Sequence, residues 1–85
     1  MYLIYGTTDC PWFLRAQALL MEAELQYVSI IMDWSSDFRE SQKEKWGWKT
    51  LPIIVLKLRP DDEEPMLIGG TEELRGHLFD PIGTT

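Results

Sequence analysis

The chain has 85 residues, 14 acidic and 8 basic side chains, a formal charge of −6 and a single cysteine, Cys10. This length predicts one domain spanning residues 1–85. The acidic balance disfavours nucleic acid and anionic membrane surfaces, because both are bound through clustered Lys and Arg. A lone cysteine excludes a disulfide within the chain. With one distant histidine, His77, it also falls short of the four ligands of a structural zinc site.

Neither a membrane span nor a leader sequence is predicted. No stretch approaches the roughly 20 apolar residues of a spanning helix. The first residues lack the basic and apolar regions of a signal peptide. We therefore expect a cytoplasmic protein, because reducing compartments keep a lone thiol free.

The first half of the chain predicts a strand, a helix and a second strand. Strand-forming residues 2–5 end at a polar loop. Pro11 then favours a helix start, since its missing N–H costs nothing there. This helix runs to about Leu25, and its apolar positions should be largely covered. The β-branched residues in 26–32 predict the second strand.

The second half predicts a helix, a hairpin and a last helix. The charged helix is capped by Ser35, Ser36 or Asp37, runs to Trp46, and is stopped by Gly47. The nearly continuous apolar run 51–58 predicts a strand buried on both faces, with proline at its start. The remaining predicted features are a turn at 60–65, a strand at 66–68, a bend at Gly69-Gly70, a helix from its cap Thr71 to Phe79, and a stop at Asp80-Pro81.

The position of Cys10 makes it the candidate reactive residue. It lies where a loop becomes a helix, and the unpaired N–H groups and macrodipole of a helix start stabilise an anion. The thiolate is the nucleophile of thiol–disulfide exchange. The alternative is a buried structural cysteine.

Three segments resemble motifs of glutaredoxins. Residues 5–13 (YGTTDCPWF) are similar to their active-site segment, usually Cys-Pro-Tyr-Cys. Residues 47–52 (GWKTLP) resemble Gly-x-x-Thr-Val-Pro, whose proline is cis, and residues 69–74 (GGTEEL) resemble the Gly-Gly-x-Asp-Asp-Leu turn that binds glutathione. The motifs occur in the family's order. The resemblance implies a thioredoxin-like α/β fold, with a four-stranded mixed sheet and three helices in the order βαβαββα.

Two departures from this pattern concern the mechanism. Phe13 stands where dithiol glutaredoxins have a second, resolving cysteine, so a mixed disulfide is not resolved within the chain. Thr7 stands where the family commonly has a lysine that supports the thiolate and glutathione binding. The resemblance therefore implies a monothiol route, in which Cys10 is the catalytic residue and glutathione reduces glutathione mixed disulfides.

The resemblance also implies which residues bind glutathione. Cationic side chains would face its glycine carboxylate, the backbone before the proline would pair with its cysteinyl part, and N–H groups at a helix start would bind its γ-glutamyl carboxylate. The γ-glutamyl ammonium would contact Glu72, and an exposed ring beside the thiol would add apolar surface. The residues implied for these contacts are Arg39 and Lys49 for the glycine carboxylate, Leu51 and Pro52 for the cysteinyl part, Gly70 and Thr71 for the γ-glutamyl carboxylate, and Trp12 for the apolar surface. Without this role, the two cations are surface charges and Thr71 and Glu72 are a helix cap and first turn.

Two alternative functions stay open. Some glutaredoxins hold a [2Fe–2S] cluster between two protomers, which would make Cys10 an iron ligand beside glutathione. Pro11 and Trp12 resemble the Cys-Pro-Tyr type instead of the Cys-Gly-Phe-Ser of cluster carriers, which favours a monomeric enzyme. The other alternative is a non-catalytic domain that docks a redox partner. Expected partners are glutathione and glutathionylated or disulfide-containing proteins, in cell redox homeostasis.

The remaining aromatic and charged residues receive structural predictions. Trp34 and Trp46 are predicted to pack at the two ends of the charged helix, while Trp48 extends the surface formed by Trp12. His77 is predicted to lie on the surface of the last helix. The acidic residues 61–64 are predicted to form a solvated hairpin tip.

Overall fold

The computed structural model describes residues 1–59, 61 and 63–79. Seven elements follow the predicted order: β1 (Tyr2–Gly6), α1 (Pro11–Glu22), β2 (Tyr27–Ile31), α2 (Ser36–Trp46), β3 (Ile53–Leu56), β4 (Met66–Gly69) and α3 (Thr71–Phe79). The predicted stop at Asp80-Pro81, and Pro60 and Asp62 of the predicted turn, lie outside the described residues. Within the described part of the chain, no helix has the length and apolar character to cross a membrane.

The four strands form one mixed sheet in the order β2-β1-β3-β4. The crossover through α1 makes β1 parallel to β2, whereas β3 runs antiparallel to both β1 and β4. The central strand β1 places Ile4 opposite Ser29 on one side and Ile54 on the other. Because β1 and β2 are parallel, the loops that follow them leave the sheet at the same edge.

The core fixes the starts of α1 and α3 on one face of the sheet. A buried cluster joins β1 and β3 to both helices, and its fully buried members are Ile4, Phe13, Ala16, Leu20, Ile54 and Leu74. Each large apolar side chain buried in this way stabilises the fold by about 1.5–3 kcal/mol. Ile53 and Val55 alternate with Ile54 along β3 and are also fully buried. The predicted burial on both faces is therefore confirmed for Ile53–Leu56, whereas Leu58, at the end of the predicted run 51–58, lies beyond the strand and is 78% exposed.

The outer face of α1 is more exposed than predicted. The helix ends at Glu22, before the predicted Leu25, and Leu14 and Met21 remain 55% and 65% exposed. The reason is geometric, because a helix of this length turns one stripe toward the sheet. Leu14 and Met21 project from the other side of that stripe.

The prediction that Trp34 packs at one end of the charged helix is wrong. This side chain is 87% exposed, because it lies in the turn between β2 and α2, and α2 itself buries no residue completely. Trp46 is part-buried at the end of α2, as predicted, where its Nε1 donates to Gln42 Oε1 at 3.3 Å. Lys45 lies over its ring, with Nζ 5.0 Å from the centroid.

Two of the three predicted caps are confirmed. The Ser35 hydroxyl accepts the Phe38 N–H at 3.1 Å, and Gly47 ends α2 in the left-handed conformation, with φ of 64°. At α3 the cap is Gly70 and not Thr71, because the Leu74 N–H donates to the Gly70 carbonyl at 3.0 Å. Thr71 is already inside the helix, and its buried hydroxyl bonds elsewhere.

His77 is exposed, as predicted, but it also ties α3 to the start of β1. Its Nε2 lies 3.1 Å from the Tyr2 hydroxyl, and the two rings meet edge to face with centroids 6.0 Å apart. Burial raises the pKa of Tyr2 above its ordinary value. This contact therefore joins the last helix to the first residue of the central strand.

Candidate active site

Cys10 is the N-cap residue of α1. Its extended backbone lets its carbonyl accept the N–H groups of Phe13 at 3.1 Å and Leu14 at 3.3 Å. The Sγ makes no capping hydrogen bond, and the side chain is part-exposed. N–H groups in the first turn have no partner within the helix, so they and the macrodipole stabilise negative charge at this position. The thiol therefore lies part-exposed at the start of a helix, beside these N–H groups.

The loop before Cys10 is fastened to the end of β2 by Thr8 and Asp33. The Thr8 N–H donates to Asp33 Oδ1 at 3.0 Å, and its hydroxyl donates to Oδ2. These side-chain and backbone hydrogen bonds, with a smaller effect of the Arg39 charge, hold the pKa of Asp33 below its usual range. Sequence reasoning missed this pair. The available signal was that both residues follow parallel neighbouring strands, whose ends meet at one edge.

Phe13 fills the position of the missing second thiol with a core side chain. It is only 1% exposed, and its ring lies directly against Gly6 of β1. A Cβ on Gly6 would lie 2.4 Å from Phe13 Cδ1, a separation that real side chains do not adopt. The first turn of α1 therefore packs on the sheet through Phe13, the residue at the position of a resolving cysteine.

A cavity of about 440 Å³, which we call the main cleft, lies between the starts of α1 and α3 and the segment before β3. The Leu51–Pro52 peptide bond in its wall is cis, and Pro52 is fully buried. Trp12 is 44% exposed, as predicted, with the Arg15 guanidinium 4.7 Å from the centroid of its ring. The cleft brings together six of the eight predicted glutathione-binding residues: Trp12, Leu51, Pro52, Gly70, Thr71 and Glu72.

The two predicted cations lie outside the main cleft. Arg39 lines a second cavity, the side cleft, of about 510 Å³, which shares Leu51 with the main cleft. Arg39 Nη1 donates to the carbonyls of Met32 at 2.6 Å and Asp33 at 3.3 Å, so the guanidinium is held at the end of β2. Lys49 lines a third, separate cavity, beside residues of α2.

Trp48 and Glu73 shape the main cleft at the Gly-Gly bend. Gly69 has a φ of 123°, and a Cβ there would lie 2.9 Å from Glu73 Cγ and 3.1 Å from Trp48 Cη2. The Gly70 N–H donates to Glu73 Oε1 at 3.0 Å, which completes the cap of α3. The Trp48 Nε1 is buried and has no hydrogen-bond partner among the described residues. Because Gly69 and Gly70 have no side chains, the Trp48 ring and the Glu73 side chain pack directly against the bend.

The described residues contain no group of three or more His, Cys, Asp or Glu side chains arranged to hold a metal ion.

The sheet order, the thiol at the start of the first helix and the cis-proline before β3 together define a thioredoxin-like domain. The family model for glutaredoxins matches residues 3–59, and the chain belongs to the glutaredoxin family. Members of this family are thiol–disulfide oxidoreductases that generally use glutathione. A single cysteine at position 10 is consistent with a monothiol-like active site. No curated protein matches the sequence.

Solved glutaredoxin structures share the fold. The solution structure of a glutaredoxin from Brucella melitensis is 23% identical, with a TM-score of 0.72, covering 98% of this chain and 83% of that one. A crystal structure of wheat glutaredoxin is 19% identical, with a TM-score of 0.70, covering 95% and 75%. The holo form of glutaredoxin C1 from Populus tremula x tremuloides is 18% identical, with a TM-score of 0.70, covering 98% and 72%. At these identities the likeness concerns the fold alone.

Proposed function

We propose that this protein is a glutathione-dependent oxidoreductase that reduces glutathione mixed disulfides by a monothiol mechanism. One observation carries the proposal: the free Cys10 caps α1 two residues before Trp12, which lines the main cleft, while buried Phe13 occupies the position of a resolving thiol. A thiol in this place attacks a disulfide but depends on a thiol from solution to be released.

The reaction has two exchange steps. The Cys10 thiolate attacks the glutathione sulfur of a glutathionylated client, so that a bond forms between the two sulfurs and the client leaves as a thiolate, which takes a proton from water. A second glutathione, as its thiolate, then attacks the glutathione sulfur bound to Cys10. Oxidised glutathione leaves, and the Cys10 thiolate is regenerated. The client sulfur is reduced as the incoming glutathione sulfur is oxidised, while the glutathione sulfur taken from the client stays at the disulfide level.

The main cleft supports a specific placement for glutathione. Its γ-glutamyl carboxylate would lie at the start of α3, where the Thr71 N–H belongs to an unpaired first turn. The Gly70 N–H already donates to Glu73, so it serves glutathione only if that bond is exchanged. The γ-glutamyl ammonium would contact Glu72, and the cysteinyl backbone would pair with Leu51, which lines the same cleft.

The glycine carboxylate would extend past Leu51 toward the side cleft and Arg39. The guanidinium is fixed there by its bonds to the end of β2, which favours a defined anion site. Lys49 is exposed and lies beside Lys43, which forms an ion pair with Glu40 at 3.2 Å. We therefore assign Lys49 a long-range electrostatic role rather than a direct contact.

Turnover of a glutathionylated peptide, followed as oxidised glutathione formed with excess glutathione, tests the proposal. We expect turnover by the wild-type protein and none by Cys10→Ser. Glu72→Gln should raise the KM for glutathione, whereas Glu22→Gln, at the far end of α1, should leave it unchanged. Wild-type activity no higher than that of Cys10→Ser would contradict the proposal. Visible absorbance and dimer formation after anaerobic purification would favour the [2Fe–2S] alternative.

A further inference from the structure

The two clefts beside Cys10 are lined by more negative than positive charge. Asp9 and Asp33 line the side cleft, while Glu72 and Glu73 line the main cleft. Arg39 is the one cationic side chain among the residues lining these two clefts; it donates to the backbone carbonyl of Asp33, and its charge also acts on the Asp33 carboxylate. Setting the charges of Arg39 and of Arg15, which stacks on Trp12, against these four carboxylates still leaves the two clefts with net negative charge. A cleft of one sign raises the local concentration of ligands of the opposite sign.

A second observation points to a ligand with a hydrogen-bond acceptor. The Nε1 of Trp48, in the wall of the main cleft, is a buried donor with no partner among the described residues. A Cβ on Gly70 would lie only 3.6 Å from this nitrogen, so the donor sits beside the backbone at the start of α3. Leaving a buried donor unsatisfied is costly, and a peptide carbonyl from a bound ligand would satisfy it, but only if the indole shifts toward the cleft, because the nitrogen is closed to solvent in the free protein.

The exposed aromatic rings indicate the type of cation. The Trp12 ring already holds the guanidinium of Arg15 at 4.7 Å from its centroid, so this ring accepts a cation from the protein itself. Trp34, next in sequence to Asp33 of the side cleft, exposes 87% of its surface. Large rings beside carboxylates suit Lys and Arg side chains, whose apolar stems pack on the ring while their charged ends meet the acids.

We propose that the thiol of this protein acts preferentially on disulfides carried by cationic polypeptide segments, with Lys or Arg flanking the substrate cysteine. The inference rests on the proposed function in one respect, that Cys10 is the attacking thiol. Asp9 and Glu72 supply the charge selection from the two sides of Leu51 when the polypeptide disulfide, and not glutathione, occupies the main cleft. Trp48 supplies a donor to the substrate backbone.

The first exchange step alone tests this selection. The probes are two short peptides of matched length whose single cysteine is disulfide-bonded to thionitrobenzoate, one flanked by Lys and Arg and the other by Glu. The Cys10 thiolate attacks the peptide sulfur, the mixed disulfide of Cys10 and the peptide forms, and coloured thionitrobenzoate leaves as its thiolate. No other oxidant or reductant takes part.

At low salt we expect the cationic peptide to react about tenfold faster than the anionic one, and we expect added salt to close this gap. Asp9→Asn and Glu72→Gln should each narrow the gap, whereas Glu22→Gln should not. Equal rates for the two peptides, both well above those of Cys10→Ser, would overturn the inference and leave the proposed function standing. Release no faster than with Cys10→Ser for either peptide would overturn both.

Trp48→Phe tests the backbone contact separately. We expect both peptides to react about two- to tenfold more slowly with this variant, because one hydrogen bond to the peptide is lost. A small disulfide of thionitrobenzoate and mercaptoethanol, which has no peptide group, should react at the wild-type rate. An equal slowing of this small probe would overturn the assigned role of Trp48.

Discussion

The hydroxyl of Thr71 donates a hydrogen bond of 2.6 Å to the carbonyl oxygen of Trp12, joining the first turns of α3 and α1 across 59 residues of chain. Thr71 is buried, so water does not replace this bond when it is lost. Both residues line the main cleft. The bond therefore sets the spacing of two helix starts on which the proposed glutathione site depends.

Thr71→Val should lower the free energy of unfolding by about 1–3 kcal/mol, because it leaves the Trp12 carbonyl without its donor. Thr71→Ser keeps the hydroxyl and loses one methyl group, which corresponds to about 1 kcal/mol. Urea unfolding of the two variants measures the difference. A Val variant as stable as the wild type would show that the bond contributes nothing to stability.

Gly6→Ala should destabilise the protein by about 1–3 kcal/mol, the usual cost of overpacking a core. The physical reason is the 2.4 Å separation that a Cβ would have from Phe13 Cδ1. Gly76→Ala is the matched control, because a Cβ there meets nothing within 4 Å. In the middle of α3 this control should add about 0.5–1 kcal/mol of stability. Thermal unfolding measures the midpoint temperature of both variants. Midpoints shifted in the same direction would contradict this explanation.

The Thr8–Asp33 pair should make stability depend on pH in the acid range. The native pKa of Asp33 is lowered by its bonds to Thr8, so its stabilising contribution is fully present above its unfolded value of about 3.9. That contribution is lost as the pH falls through the lowered native value.

Asp33→Asn should therefore be less stable than the wild type at neutral pH, with a difference that shrinks below about pH 4. Urea unfolding at a series of pH values measures this difference. Glu22→Gln, an exposed carboxylate at the end of α1, serves as the control for general charge effects. A difference that stays constant with pH would show that the ionisation of Asp33 is not linked to folding.

Phe13→Cys should restore release of a mixed disulfide within the chain, because residues 10 and 13 share one face of the first helical turn. Removing the buried ring should also cost about 3–5 kcal/mol, as for other truncations of a core Phe. Mass spectrometry after adding one equivalent of a disulfide-bonded peptide, without free thiol, distinguishes the two proteins. The wild type should retain the peptide on Cys10, while the variant should release it. Equal retention by a folded variant would contradict the prediction.

The features that the sequence predicts correctly depend on neighbours along the chain. Pro11 at a helix start, Gly47 at a helix end and the buried run in β3 follow from backbone geometry and local hydrophobicity. The resemblance to glutaredoxins adds the cis peptide bond before Pro52, which no local pattern specifies.

The features that sequence reasoning misses depend on which elements meet. The bonds of Thr8 with Asp33, Thr71 with Trp12 and Tyr2 with His77 span 25, 59 and 75 residues. The exposure of Trp34 is missed for the same reason, because burial also depends on which elements meet. An apolar side chain is buried only if another element covers it, and the turn before α2 has no such cover.

The ring of Phe13 also determines how long this protein stays attached to what it attacks. With no second thiol in the chain, a covalent complex at Cys10 has a lifetime set by the supply of free thiol around it. Under the proposed mechanism, a thiol-rich solution lets the domain turn over as a catalyst. As thiol becomes scarce, the same domain retains on Cys10 the glutathione taken from its last client, and the fraction of loaded protein then reports the redox state of its surroundings.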